Sequence, residues 1–461
     1  LDDAALSFVV TSPDLFGTLA TTGATILTGR QREQVGEIEL YSASVAGSRL
    51  CYILYTSGST GIPKGVTVRE QSILRLFNWL HGCIEFGDGK SILATTTFTF
   101  DISVIELLFP LLNGGRVLLA DDGTVHDSQL LNRMLSDQRP DYIQATPTAY
   151  RMLLNANWPG DPELTLLCGG EALDRALADD LLRRGRVLWN LYGPTETTVW
   201  STASRIDQAP MTVTIGRPIH GTRVYVLNST LRPVPIGVAG ELYIGGDGLA
   251  LGYLNRSAAT AGQFVPDPFS GFPGARLFKT GDRVRWLPER QLEFIGRLDC
   301  QLKIRGFRIE TGEVEHAISQ HPSVAQCAVT PVEQQGQPTH LAAYLVTKNG
   351  HELRSQQIAE FVKTLIPSYM LPTSWIVLDE LPTTPGGKVD RKALPLAGAS
   401  SQPRSDAGYV APQTALENRL VAIWQQVLEI ETIGIEDNFF LIGGSSLSAA
   451  RILSRVRNQM H

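Results

Sequence analysis

The sequence predicts an α/β protein with a large N-terminal unit of α/β sheets and a β-rich part. A small α+β unit and a helical domain follow it. Three observations carry this prediction. Short apolar runs alternate with helically spaced segments through the first part of the chain. From Ile215 to Phe294 the runs shorten and glycine and proline become frequent. Near the end, an Ala/Ser/Gly/Pro-rich stretch precedes an amphipathic helix. At 461 residues the chain exceeds what one hydrophobic core supports, so several domains are expected.

In order, "LCYILYT" (Leu50 to Thr56) reads as a strand, as do "GRVLLA" (Gly115 to Ala120) and "RVLWNLYG" (Arg186 to Gly193). Helical spacing lies between them, as in "DSQLLNRMLSDQ" (Asp127 to Gln138). "TRVYVLN", "GELYIGG" and "RQLEFIG" read as antiparallel strands. The boundary falls near "GRLDCQLKIRG" (Gly296 to Gly306), and "TGEVEHAISQH", "VAQCAVTPV", "HLAAYLVTK" and "SQQIAEFVKTLI" build the small unit. "LAGASSQPRSDAG" (Leu396 to Gly408) has linker composition. In "QTALENRLVAIWQQVLEI", Leu416, Leu420, Ile423, Trp424 and Val427 share one helical face. The expected domains are residues 1–298, 299–396 and 409–461, with 397–408 as the linker.

A net charge of −6 gives no broad basic face, so nucleic acid is not an expected partner. No apolar run reaches the length of a membrane span, so no membrane association is expected. The start, "LDDAALSFVV", lacks the basic residues of a secretory signal. The five cysteines are scattered without a C-x-x-C pair, which points to buried apolar roles and a cytoplasmic location rather than to zinc or disulfides.

"YTSGSTGIPKG" (Tyr55 to Gly65) is the densest chemical signal. Gly58 and Gly61 permit close backbone approach, Thr56, Ser57, Ser59 and Thr60 supply hydroxyls, and Lys64 supplies a cation. Pro63 before Lys64 and Gly65 after it break the Walker A spacing, so a kinase or GTPase loop is not indicated, while a polyphosphate site is. Three further clusters follow: "NLYGPTETT" (Asn190 to Thr198), "FKTGDRV" (Phe278 to Val284) and "GRLDCQLKIRGFRIETGEVE" (Gly296 to Glu315).

In this order the four clusters resemble the core motifs of the adenylate-forming enzymes: acyl-CoA synthetases, luciferases and the adenylation domains of nonribosomal peptide synthetases. The resemblance runs from about residue 50 to 395. Three features resemble the peptide synthetase branch. "FTFDISVIE" (Phe98 to Glu106) places Asp101 where a substrate α-ammonium would be paired, although an aspartate before "ISVIELL" also suits a helix cap. "LPTTPGGKVDRKAL" (Leu381 to Leu394) resembles the last core motif and supplies Lys388, with Gly386 where the family usually has Asn. "DNFFLIGGSSLSAARIL" (Asp437 to Leu453) resembles a peptidyl carrier, with 4′-phosphopantetheine expected on Ser446.

The resemblance implies ATP-dependent formation of an aminoacyl adenylate, then transfer to the pantetheine thiol. It places Tyr192 on the adenine, with Asn190, Gly170 and Gly193 beside the nucleotide. Thr195 would meet the α-phosphate, Glu196 would hold Mg²⁺, and Asp282 and Arg297 would hold the ribose. The glycine loop would cradle the β- and γ-phosphates. Lys388 would supply charge during adenylation. Asp299 would be the hinge of a rotating small domain, and Gly306 would line the pantetheine path. The substrate pocket would comprise Asp101, Ile102, Ile105, Ala145, Leu167, Gly169, Leu191, Val199 and Trp200. With no further charge there, a small neutral amino acid is expected, glycine first and alanine next.

Implied partners are condensation domains, a phosphopantetheinyl transferase and a small MbtH-like activator protein. The alternatives are an acyl- or aryl-CoA ligase, which would lack the carrier serine, and a non-catalytic carrier or interaction fragment. About fifty residues precede the glycine loop, fewer than the family carries, and the carrier stops soon after its serine, so a fragment of a larger synthetase is expected.

Overall fold

The structure, a computed structural model, describes residues 8–11, 25–28, 49–58, 62–208, 210–299, 301–304, 307–332, 340–348, 355–383, 389–391, 393–395, 409–428, 430, 432–437, 439, 442, 448, 452–453 and 455–456. Its centre is a seven-stranded sheet, ordered Arg217–Pro218, Thr202–Ile206, Val187–Tyr192, Thr165–Gly169, Tyr142–Ala145, Ser91–Ala94, Arg116–Leu119. The five strands from Val187–Tyr192 to Arg116–Leu119 are parallel, and Thr202–Ile206 and Arg217–Pro218 join antiparallel.

Period-two alternation explains why helices cover both faces. Ile92, Tyr142 and Leu167 enter one core with Phe77, Ile105 and Phe109. Their chain neighbours Leu93, Ile143 and Leu166 enter the other, with Tyr150, Leu153 and Leu177. Three of the covering helices begin on a side-chain cap: Asp127 for Ser128–Gln138, Thr146 for Pro147–Asn155 and Asp174 for Arg175–Leu182. Each cap satisfies backbone N–H groups that the first turn leaves open, worth about 1 kcal/mol.

The β-rich part is a five-stranded antiparallel sheet built on the long strand Arg276–Trp286, which pairs with Gly240–Gly246, Phe264–Pro266 and Leu292–Arg297. A separate antiparallel hairpin, Leu50–Thr56 with Lys64–Arg69, carries the glycine loop as its connection. The small unit has a hairpin, Gln301–Ile304 with Phe307–Glu310, and a sheet of Val324–Val332, His340–Thr347 and Ser374–Val377. The helices Thr311–Ser319 and Ser355–Lys363 contribute to its core through Val314, Ile318, Ile358 and Val362.

The C-terminal helix runs Ala415–Leu428. Ile423 and Val427 pack with Ile452, and Trp424 meets Phe439 edge-on at 5.1 Å. Leu416, expected on that face, is 57% exposed, because the described cluster covers only the later turns. The expected linker 397–408 lies outside the described residues. All four described cysteines are free; Cys168 is buried as expected, whereas Cys83 and Cys327 are half-buried and Cys51 is exposed. Among the described residues, no helix is long and apolar enough to cross a membrane.

Candidate active site

A cavity opens at the carboxyl ends of the parallel strands, where open α/β sheets place their ligands. The chain leaving Ser91–Ala94 supplies Thr99, Phe100, Asp101 and Ile102; the chain leaving Thr165–Gly169 supplies Gly170; and Val187–Tyr192 leads into Gly193, Pro194 and Thr195. Two glycines are forced by this geometry. Gly170 has φ +83°, in the left-handed region. A Cβ on Gly193 would stand 2.3 Å from the Val199 carbonyl oxygen. Thr198 and Val199, both β-branched, also hold left-handed φ values of 64° and 62° beside the cavity, costing about 1–3 kcal/mol each.

Asp101 lies on the cavity wall and is 8% exposed. The helix Ser103–Leu112 follows it directly, with Ile102 at its N-cap position. Burial, and then the Asp101 carboxylate, push the nearby Tyr52 hydroxyl well above the usual phenol value, so the charge of Asp101 acts on this end of the cavity. The segment that presents Asp101 is held by Glu106, a fully buried carboxylate missed in the sequence. Glu106 accepts from the backbone N–H of Thr95 and Thr96, both at 2.9 Å, from Thr96 Oγ1 at 2.6 Å and from Gln144 Nε2 at 3.0 Å. Its only signal was an acid inside the apolar run "ISVIELLF". Glu106→Ala would leave these donors unpaired, at about 1–3 kcal/mol for each buried group. The expected result is a lower Tm, with a KM for the amino acid that rises more than the KM for ATP. Parallel changes in both KM values would show that Glu106 does not position Asp101.

The side expected to hold the nucleotide is built by strand register. Asp282 pairs with Arg297 across Arg276–Trp286 and Leu292–Arg297, which brings Arg297 Nη1 to 2.8 Å from Asp282 Oδ1. Arg297 also grips Asp299 with two bonds of 2.7 Å and gives Nη2 to the Thr280 carbonyl at 3.1 Å. Burial lowers the Arg297 pKa, but the bonds to Asp299 and the charge of Asp282 outweigh it and leave it raised. Asp299, the expected hinge, stands between Leu292–Arg297 and Gln301–Ile304, pinned to the large unit through Arg297.

Two residues expected at the nucleotide are not among those lining this cavity. Tyr192 is not on the cavity wall: its ring packs with Ile215, Val226, Leu242 and Val284, and its hydroxyl donates to Asp282. Burial, then the Asp282 carboxylate, raise that hydroxyl well above the usual phenol value. Asn190 is buried and gives its Nδ2 to the Thr214 carbonyl at 2.8 Å, again away from the wall.

Of the substrate positions, Asp101, Ile102, Leu191, Val199 and Trp200 line the cavity. Ile105, Leu167, Ala145 and Gly169 lie behind it. Ile105 and Leu167 belong to one core and Ala145 packs against the other, while a Cβ on Gly169 would stand 2.8 Å from the Leu191 carbonyl oxygen. The fourth wall comes from the small unit, through Gln301, Phe307, Arg308 and Tyr369. Phe307 stacks on Tyr369 at 3.8 Å and meets Phe100 edge-on at 4.8 Å, closing the aromatic side between the two units.

Thr56 Oγ1 is buried with no hydrogen-bond partner among the described residues, as expected of a hydroxyl awaiting a ligand. Lys64 opens the returning strand, with Nζ 4.9 Å from the Tyr253 ring centroid, and faces a second, charged cavity shared with Lys279, Arg297, Asp299 and Glu310. Burial, then Arg308, lower its pKa. Ser59, Thr60, Gly61, Gly306, Lys388 and Ser446 lie outside the described residues.

Mg²⁺ was expected on Glu196. That carboxylate is fully buried, with Oε1 accepting from Tyr253 Oη at 2.7 Å and Oε2 pairing with Arg308 Nη1 at 2.6 Å. Burial raises its pKa, but Arg308 and Tyr253 overcome this and hold it below the usual carboxylate value. Both oxygens thus already meet a protein group in this arrangement, Oε2 a cation. Among the described residues, no cluster of three or more His, Cys, Asp or Glu is arranged to hold a metal ion.

A doubly covered sheet, a glycine-rich hairpin and an Asp/Arg pair around one cleft define a nucleotide-using α/β enzyme class. The AMP-binding enzyme model matches residues 14–254, the AMP-binding enzyme C-terminal domain model residues 313–388, and the phosphopantetheine attachment site model residues 418–461. The chain belongs to the AMP-binding enzyme family, as an adenylation domain followed by a carrier segment of the nonribosomal peptide synthetase kind.

It is 40% identical over 469 residues to a dimodular nonribosomal peptide synthase of Bacillus subtilis (strain 168), covering 100% of this chain and 19% of that protein. It is 39% identical over 416 residues to tyrocidine synthase 3 of Brevibacillus parabrevis, covering 89% of this chain and 6% of that protein. The chain thus spans less than a fifth of these relatives. Among solved structures it is similar to holo-AB3403, a four-domain nonribosomal peptide synthetase bound to AMP and glycine, with TM-score 0.60, 37% identity, and 99% of this chain and 34% of that one covered. It is also similar to holo-PA1221, which contains adenylation and PCP domains and is bound to a vinylsulfonamide inhibitor, with TM-score 0.76, 26% identity, and 95% and 72% covered.

Proposed function

We propose that the chain activates a small neutral amino acid with ATP and loads it on its own carrier segment. The observation that carries this reading is the buried Asp101 on the wall of a cleft that Thr195, Asp282 and Arg297 also line. The substrate carboxylate oxygen attacks the α-phosphorus of ATP and pyrophosphate leaves. The pantetheine sulfur then bonds to the acyl carbon and AMP leaves. Charge develops on phosphoryl and carbonyl oxygens in both steps, so fixed cations and N–H donors are the main requirement. Asp101 pairs with the α-ammonium, while Ile102, Leu191, Val199 and Trp200 leave a neutral pocket in which a charged side chain would be unpaired. Glycine is the first candidate and alanine the second. The similarity to the glycine-bound synthetase supports that order.

Lys388 serves adenylation, rotation about Asp299 exchanges the small-domain face presented to the cleft, and Gly306 then lines the pantetheine path. The 1–298, 299–396 and 409–461 division is the domain arrangement this requires. The working context is cytoplasmic, with condensation domains as neighbours, a phosphopantetheinyl transferase to install the arm and an MbtH-like protein as activator; Mg²⁺ accompanies ATP.

The intact synthetase treated with a phosphopantetheinyl transferase and CoA is expected to carry the arm on Ser446, and then to gain one aminoacyl mass with ATP and glycine. Peptide mapping by mass spectrometry checks both. An arm on Ser445, or an arm that persists in Ser446→Ala, contradicts the assignment.

A further inference from the structure

Tyr253 touches both charged side chains expected at the phosphates of ATP. Its hydroxyl donates to Glu196 Oε1 at 2.7 Å, and its ring faces Lys64 Nζ, 4.9 Å from the centroid. Strand register puts it there. Tyr253 pairs with Val66, two residues beyond Lys64 on the strand Lys64–Arg69, so the ring reaches Lys64 diagonally. The Leu254 N–H donates to the Gly65 carbonyl at 2.8 Å, and the Ala250 N–H donates to the Glu196 carbonyl at 2.9 Å. The chain on either side of Tyr253 is thus tied to the neighbour of Lys64 and to Glu196 itself. Tyr253 is 5% exposed and packs edge-on against Phe264 at 5.8 Å.

The two contacts differ in what they leave free. Glu196 meets the phenol through one oxygen and Arg308 through the other. Lys64 makes no salt bridge among the described residues, although Asp299 and Glu310 share its cavity. A ring face attracts an ammonium through its quadrupole and takes none of its three N–H donors. Those donors suit phosphate oxygens.

We infer that Tyr253 is a positioning residue for adenylation: its hydroxyl fixes the Glu196 carboxylate, and its ring holds the Lys64 ammonium apart from that carboxylate and open to the phosphates of ATP. This rests on reading the glycine loop as the polyphosphate site. The phenol touches no reacting atom. It acts through the acid and the cation on either side of it.

Calorimetric titration of the intact synthetase with sodium pyrophosphate, beside ATP–pyrophosphate exchange with glycine, tests the two contacts separately. Tyr253→Phe keeps the ring and loses the hydroxyl. It should bind pyrophosphate within about twofold of wild type and exchange about tenfold more slowly, because a buried charged hydrogen bond is lost. Tyr253→Leu also loses the ring, and should weaken pyrophosphate about 5- to 30-fold, the range of a partly buried cation–ring contact. In a Lys64→Ala background the same change should add less than about twofold, since the ring then has no cation to hold. Phe264→Leu is the packing control, with a lower Tm and wild-type pyrophosphate affinity. Should Tyr253→Leu fail to fold, Tyr253→Met takes its place with the same expectation.

The failures separate. Lys64→Ala that binds pyrophosphate as wild type does overturns the polyphosphate reading, and the Tyr253 role with it. Weakened Lys64→Ala beside unchanged Tyr253→Leu, or losses that multiply in the double variant, overturns the Tyr253 role alone. Equal weakening in Phe264→Leu assigns the effect to packing and also overturns it. Wild-type exchange in Tyr253→Phe overturns the hydroxyl's part.

Discussion

Asp101→Ala in the intact synthetase is expected to lower amino-acid-dependent ATP–pyrophosphate exchange by about 30- to 4 × 10³-fold. The reason is electrostatic. Asp101 is 8% exposed, and its place on the cavity wall lets it meet a substrate ammonium out of water. Removing one partner of such a pair costs about 2–5 kcal/mol, much of it from leaving the other charge unpaired. Asp101→Asn keeps the shape and a hydrogen-bond acceptor but not the charge, so it should fall with Asp101→Ala. The KM for ATP should move little, because the cavity residues proposed to meet the nucleotide are Thr195, Asp282 and Arg297 rather than Asp101. Unchanged exchange in Asp101→Ala would remove the ammonium role, and an equal rise in both KM values would assign Asp101 to the fold instead.

The second large effect separates the half-reactions. Lys388→Ala is expected to slow aminoacyl-AMP formation on the order of 10²–10³-fold, the usual cost of losing a preorganised donor at developing charge. Thioester formation from supplied aminoacyl-AMP should be much less affected. Gly306→Trp should give the reverse: adenylation nearly intact and acylation of Ser446 blocked. In the arrangement described, the small unit presents Gln301, Phe307, Arg308 and Tyr369 to the cleft, and a rotating unit would present a different face for each step. Single-turnover measurement of both steps in both variants decides the matter. Equal losses in both steps for both variants would leave an ATP-dependent ligase without domain rotation.

Much of this fold could be read from local pattern. The strand Leu50–Thr56 and the loop that follows it are visible as an apolar run ending in glycines and hydroxyls. The helix Ser128–Gln138 announces itself through its Asp127 cap and its spacing. Asp282 and Arg297 lay in recognisable motifs, but only the strand register shows that they pair directly. The contact between Arg308 and Glu196 joins residues 112 positions apart, and nothing local in either segment names the partner.

Tyr192 shows a different limit. Alternation along its strand does not tell whether the last ring turns to the cleft or to the β-rich core, and here the core cluster and Asp282 take it. Leu416 marks the correct helical face, yet burial depends on how far the covering cluster extends. Glu106 was missed as an acid in an apolar helix, because its four donors, on Thr95, Thr96 and Gln144, come together only in the folded sheet.

The central claim is that this cleft activates an amino acid, and ATP–pyrophosphate exchange by the intact synthetase across a panel of amino acids tests it most directly. The account predicts exchange that requires an amino acid, is highest for glycine, continues at a lower level for alanine, and is absent for lysine and glutamate. Exchange supported by a carboxylic acid lacking the α-amino group as well as by its amino acid, or exchange highest for a charged side chain, would contradict it.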